Sequence, residues 1–215
     1  MRNLLFLSIT LLLTQAVART PVRLGYFEYP PYIYLSKGVP TGRLIKILNE
    51  LEQKHEVRFV LEEVPEGRID ASLDENVVDG FAMLAKTPER EKKLHFTSVI
   101  LLHIDPQVCS TKPFTFTNLD QFKSSLDKSN THLILSNSRL FTKLFTEVMN
   151  KTILAYSDSY QERALKMLQA QRAKFAVFPD LTIKHELHCH KMFPSRIEIP
   201  LSLDKNKPKL HRLFE

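Results

Sequence analysis

Short apolar runs alternate with helical apolar stripes along most of the chain, and each change of period marks a change of element. Val22-Arg23-Leu24-Gly25-Tyr26 reads as a short strand leading into an aromatic loop, where the adjacent Pro30 and Pro31 exclude a helix. Thr41-Gly42 opens a helix with Leu44, Ile45, Leu48 and Leu51 along one face, and Val57 to Val64 follows as a β-rich strand. A short helix over Arg68 to Glu75, a strand over Val77 to Leu84 and a capped turn at Thr87-Pro88-Glu89-Arg90 continue the series. The first half is therefore α/β.

A second α/β set follows Cys109 and a polar stretch containing Pro113. It predicts a strand at His132 to Leu135, a helix at Arg139 to Met149 with Leu140, Phe141, Leu144, Phe145 and Val148 on one face, and a strand at Thr152 to Tyr156. A helix at Tyr160 to Ala170 and an apolar strand at Phe175 to Phe178 complete it. The chain thus repeats its architecture, with lobe one at residues 19–105, lobe two at 106–196, and Ile197 to Leu201 starting a return segment, 197–215, to lobe one.

Residues 1–18 break this pattern. Met1-Arg2-Asn3 is positive, Leu4 to Leu13 is almost wholly apolar, and Ala16-Val17-Ala18 is a small-x-small site, which together predict a secretory signal peptide cut after Ala18. The apolar run is about half the ~20 residues a membrane span needs. No cysteine follows the cut to take a lipid, so a soluble exported protein is expected, in the periplasm of a Gram-negative cell. In such an oxidising compartment Cys109 and Cys189 either bridge or stay buried as thiols.

Composition narrows the class. With 215 residues, 43% hydrophobic and 25% charged, the chain is neither disordered nor a polytopic membrane protein. The net charge of +6 comes from 30 basic residues scattered among 24 acidic ones, without the dense basic and aromatic groove that nucleic acid requires. No Gly-x-Ser-x-Gly elbow, phosphate loop or Gly-x-Gly-x-x-Gly occurs, and only five glycines are present, so no enzyme is expected.

Candidate chemistry gathers at predicted strand ends, where open α/β folds bind ligands. The loop Tyr26 to Tyr34 carries four tyrosines and Phe27, so Tyr26, Tyr29 and Tyr32 are candidates to stack on a small organic ligand; packing within the loop is the alternative. Thr87 can cap a helix that begins at Pro88, and Arg90 beside it can grip a carboxylate in two-pronged fashion. A surface arginine paired with Glu89 or Glu91 is the competing reading of that segment. His185, His188, Cys189 and His190 form the densest set of metal-ligand types, and on a helix His185 and His188 would share a face; solvated histidines are the plainer reading, and no cofactor is expected.

Taken together, Val22-Arg23-Leu24-Gly25, Tyr29-Pro30-Pro31-Tyr32, Thr41-Gly42, Val78-Asp79, Thr87-Pro88-Glu89-Arg90 and Phe96-Thr97 resemble the family 3 bacterial extracellular solute-binding proteins, the type II periplasmic binding proteins of polar amino acids. Tyr160 to Leu168, Ala170-Gln171-Arg172 and Phe175 to Asp180 extend the resemblance over lobe two. It implies a two-lobed α/β clamp with two hinge crossovers that closes on a small polar ligand, an amino acid or related carboxylate. By this resemblance Tyr29 stacks, Arg90 grips a carboxylate, Asp180 meets an ammonium, and Ser136 and Ser138 offer further donors. Arg68 stands where some members carry an arginine. The implied partner of this monomer is an ABC-type permease or a membrane sensor. Arg43 to Lys46 lacks the acidic residue usual after the helix-opening glycine, Lys174 stands where the family often has an aspartate, and the last family helix is cut short, as in a truncated or diverged member. The corresponding alternatives are a sensor or scaffold without transport, and a periplasmic metal-binding protein.

Overall fold

A computed structural model describes residues 19–128, 132–136, 141, 144–155, 160–179, 187–192 and 196–215. The predicted signal segment 1–18 lies outside them. In chain order the elements are β1 (Thr20–Tyr26), β2 (Tyr34–Ser36), β3 (Val39–Thr41), α1 (Arg43–Lys54), β4 (Val57–Glu63), α2 (Ile69–Asp74), β5 (Gly80–Phe81) and β6 (Leu94–Ile104). Next come β7 (Gln107–Ser110), α3 (Leu119–Lys128), β8 (Leu133–Ser136), β9 (Thr152–Ala155), α4 (Tyr160–Gln169), β10 (Phe175–Phe178) and β11 (His188–His190). The chain ends with β12 (Ile197–Asp204) and α5 (Pro208–His211).

The strands form two five-stranded sheets, β4-β1-β5-β12-β6 and β9-β8-β10-β7-β11, and a separate β2-β3 hairpin. Both sheets follow one plan: three parallel strands, then a fourth running antiparallel, then an edge strand antiparallel to the fourth. The chain leaves the edge strand of one sheet and enters the fourth position of the other, first from β6 to β7 and later from β11 to β12. These two passages make a two-lobed molecule.

Each lobe has its own apolar core. Lobe one buries Val22, Leu24, Leu44, Leu48, Leu101, Leu201 and Phe214, among others, and lobe two buries Val108, Phe122, Leu133, Phe145, Phe175 and Val177. Ile197, where the chain re-enters lobe one, packs against both. Helix α1 follows from its pattern, since Leu44, Leu48 and Leu51 recur at helical spacing and all three are buried. Its first amides serve the aromatic loop: Arg43 N–H donates to the Pro31 carbonyl at 3.3 Å and Leu44 N–H to the Tyr32 carbonyl at 2.9 Å. Gly42 permits this contact, with φ of +124° and room for no side chain, because a Cβ there would lie 2.4 Å from the Tyr32 carbonyl oxygen.

Lobe one is pinned by Asp79, immediately before β5. Its Oδ2 accepts from the Arg23 backbone N–H at 2.7 Å, and its Oδ1 from Arg23 Nη2 at 2.9 Å and Lys207 Nζ at 2.6 Å. Burial opposes its charge, but the bonds from Arg23 and Lys207 outweigh that penalty and hold the carboxyl at about 2. The residues after β12 are tied down further: Phe214 is buried against Phe59 and His55, and His55 Nδ1 bonds the Leu213 carbonyl at 2.6 Å.

Several expectations from the sequence need correction. The strand expected over Val77 to Leu84 is only Gly80–Phe81, the two residues that pair with β1 on one side and β12 on the other. The helix expected over Arg139 to Met149 lies partly outside the described residues, and its described end is a 3-10 turn, Thr146–Lys151. Phe141, Phe145 and Val148 are buried as the stripe predicts, but the Val148 N–H bonds Phe145 three residues back and the backbone leaves helical geometry at Val148. The histidine segment is not helical where described: His188–His190 pairs with Val108 to Ser110 as an edge strand, because backbone pairing with β7 supplies its hydrogen bonds. Strands β2, β3, β6 and β7 and helix α3 were not anticipated. Cys109 and Cys189, left open above, face each other in this pairing and form a disulfide.

Two stability outcomes are expected. Asp79 is depressed in the folded state relative to its ordinary 3.8, so its contribution is complete above about pH 4 and disappears as pH falls through about 2. Asp79→Asn should therefore cost about 2 kcal/mol at neutral pH and flatten the loss of stability between about pH 4 and pH 2, read from urea midpoints. The disulfide joins cysteines 80 residues apart, so replacing both with Ala should cost about 2–4 kcal/mol in the same assay.

Candidate functional site

Candidate residues follow the ends of parallel strands in both sheets. From lobe one, β1 ends at Tyr26 and passes into the aromatic loop, while β5 leads through Ala82 to Ala85 towards Thr87 and Arg90. From lobe two, β8 ends at Ser136 and β10 at Phe178. Ser138, Asp180 and His185 lie outside the described residues.

The aromatic loop is a packed unit. Tyr29 stacks on Tyr32 with centroids 6.1 Å apart and planes 18° from parallel, and Phe27 meets Tyr29 edge-on at 6.3 Å. The Tyr32 ring is buried, and the Arg43 guanidinium lies 5.6 Å from its centroid. Tyr26 is buried as well; burial first, then the carboxylates of Glu63, Glu28 and Glu62, raises its phenol above the ordinary value. Tyr29 is the half-exposed member of the three. A flat, partly open ring backed by a second ring is suited to stacking. The peptide bond between Pro30 and Pro31 is cis.

Thr87 caps as expected, its hydroxyl accepting from the Arg90 N–H at 3.3 Å, but it caps a three-residue 3-10 turn, Arg90–Lys92, rather than a longer helix. Arg90 is buried, and its Nη1 donates to the Ala85 carbonyl at 2.9 Å. Glu91 pairs with Lys86 at 2.9 Å. Arg68 is set apart from this group: its side chain is 63% exposed and pairs with Glu75 at 3.2 Å.

Sequence reasoning missed the role of Tyr160. Its hydroxyl donates to the Val177 carbonyl at 2.6 Å, has the Ile134 carbonyl at 3.1 Å, and bonds the backbone of Ser136. One phenol thereby joins the ends of β8 and β10. Burial, and then the nearby phenol of Tyr29, holds Tyr160 well above the ordinary tyrosine value, against the opposing bonds from Ser136 and Val177. Ser136, at the end of β8, is buried beside this junction. The signal available in the sequence was a tyrosine at the first position of an otherwise ordinary amphipathic helix.

For metal, the Cys189 sulfur is committed to Cys109 and supplies no thiolate. His188 and His190 alternate with it along β11 and are exposed, with the His190 ring 4.6 Å from Phe114. Among the described residues no group of three or more His, Cys, Asp or Glu side chains is arranged to hold a metal ion.

The profile of the bacterial extracellular solute-binding proteins, family 3, matches residues 22–214. The chain belongs to that family. A search of curated protein sequences finds no significant match. Among solved structures, the arginine-bound form of truncated ArgBP from T. maritima is 14% identical with a TM-score of 0.68, over 90% of this chain and 92% of that one. An ancestral arginine-binding protein bound to glutamine gives 15% and 0.68 over 92% and 89%, and the VFT2 domain of BvgS from Bordetella pertussis gives 15% and 0.69 over 90% and 84%. At such identities these likenesses establish the two-lobed fold shared by this family 3 protein. Among its described residues no helix is long and apolar enough to cross a membrane.

In this family 3 chain the Tyr160 hydroxyl is testable without a ligand. Tyr160→Phe keeps the ring against Ala164 and Phe178 but leaves a buried carbonyl without its donor, so stability should fall by about 1–3 kcal/mol in urea unfolding.

Proposed function

We propose that this protein captures a small polar ligand, an amino acid or related carboxylate, between lobe one (residues 19–105 with the return segment 197–215) and lobe two (106–196). Arg90 and Thr87 receive the carboxylate from lobe one, with Tyr29 stacking on the ligand. Ser136 and Ser138 complete the carboxylate site from lobe two, and Asp180 meets the ammonium. Tyr26 and Tyr32 support the stacking ring, and Arg68 is the outermost candidate. The observation that supports this reading is the match of the family profile over nearly the whole length of a chain whose two sheets end their parallel strands at the aromatic loop after Tyr26 and at Ser136. A zwitterion suits the arrangement because its carboxylate and its ammonium call for opposite charges, and the proposed site supplies an arginine from one lobe and an aspartate from the other. Closure is then favoured by ligand contacts to both halves.

The protein acts after export to the periplasm, as a monomer that hands its ligand to an ABC-type permease. A sensor role is the second reading, favoured by the likeness to the VFT2 domain of BvgS.

A thermal-shift screen against the twenty amino acids, small dicarboxylic acids and divalent metals tests the reading. A true ligand at about 100 times its Kd adds about 2.7 kcal/mol, which is roughly 5–10 °C for a chain of this size. The shift should vanish in Arg90→Ala and in Asp180→Ala. A shift with metals alone, or an amino-acid shift that survives both substitutions, would count against the clamp.

A further inference from the structure

The two passages between the lobes differ in length, and one carboxylate joins them. At the lobe-one end Ile104 of β6 pairs with Ile197 of β12, and at the lobe-two end Val108 of β7 pairs with His190 of β11. Between these paired ends the first passage contains only Asp105 and Pro106 outside the strands, whereas the second runs from Lys191 to Arg196. Proline fixes its own φ and restricts the residue before it, so the short passage is stiff. The second passage has six residues to the first one's two.

Asp105 Oδ2 pairs with Lys191 Nζ and lies 3.7 Å from Arg196 Nε. The carboxylate of the short passage thus holds the first and the last residue of the long one. Its side chain is 28% exposed, while Lys191 and Arg196 are 58% and 67% exposed, so the attachment is open to screening by salt. Alongside it, on the lobe-one strands, His103 Nε2 lies 3.7 Å from Glu198 Oε1, and Met192 is buried in the lobe-two core. The second passage is thus held at Lys191 and Arg196 by Asp105 and at Met192 by packing.

We infer that Asp105 is a hinge lash: by holding Lys191 and Arg196 it makes the two passages move as one strap and restricts the range of lobe separations the protein samples. Releasing either partner uncouples the two passages from one another. Because the pairs are partly solvated, the bias is modest, roughly two- to fivefold in the population of widely separated lobes. The inference concerns the hinge and does not depend on which ligand the cleft takes.

Spin labels at Glu50→Cys in lobe one and Gln169→Cys in lobe two, both exposed positions, report the interlobe distance distribution by pulsed electron resonance without any added ligand. In 50 mM salt the otherwise native protein should give a narrow distribution that broadens in 1 M salt. Asp105→Asn should be broad at both salts, Asp105→Glu should retain the salt response, and the surface pair Lys191→Ala with Arg196→Ala should reproduce Asp105→Asn. A native distribution and native salt response in both the Asp105→Asn protein and the doubly substituted protein would overturn the lash. Should the thermal-shift screen find no ligand, the capture reading fails while this measurement still decides the hinge.

Discussion

The arrangement of both lobes depends on an exchange of antiparallel strands. Each sheet is completed by a strand that the other lobe delivers: β7 arrives from β6, and β12 arrives from β11. In lobe one this means that a strand from near the end of the chain is inserted between β5 and β6, and the closeness it needs is visible at Gly80. A Cβ there would meet the Ser202 carbonyl oxygen at 2.1 Å. Glycine at this point is a requirement of the strand insertion, and the insertion is what keeps two separately cored lobes in one molecule.

The charges of lobe one reinforce the same junction. Asp79 gathers Arg23 from β1 and Lys207 from beyond β12 around the start of β5, so it binds three chain segments that are distant in sequence. A buried carboxylate would oppose folding if left alone. With donors from the side chain and backbone of Arg23 and from Lys207 it instead favours the one arrangement in which the return segment has docked.

Where a pattern was long and its period decisive, the sequence was legible. Leu44, Leu48 and Leu51 foretold α1, and Phe175 to Phe178 foretold β10 with its boundaries. Helix α3 was missed because Phe122 and Leu126 are its fully buried apolar anchors, too few to declare a stripe within a polar stretch. Strand β6 was missed because its burial does not alternate: both faces and the pairing with β12 change along its length, with irregular register near Pro200. The β2-β3 hairpin depends on positive φ at Lys37 and Gly38, a turn signal passed over amid the aromatic loop. Three residues, His188 to His190, cannot display a period at all, so their strand form comes from the neighbour they pair with. Within the candidate site the aromatic loop and the Thr87 cap were readable, whereas the junction made by Tyr160 exists only once β8 and β10 lie side by side.

Both lobes present the same kind of edge, with two parallel strands of each reaching the cleft side, yet they hold those strands differently. In lobe one the aromatic loop is fixed by backbone bonds to the start of α1 and by ring stacking, and Arg90 is held by a carbonyl of its own segment. In lobe two β8 and β10 pair directly and the Tyr160 phenol from α4 bonds the backbone of both. A ligand that touched only one lobe would find a surface already satisfied by its own neighbours and would gain little from moving the other. A ligand with groups for both would gain each set of contacts only in the closed arrangement, and that difference is the sole source from which closure can draw its free energy. On the hinge proposal the crossovers set how far the lobes part before such a ligand arrives, which would make capture and hinge separable properties of one strand-exchanged fold.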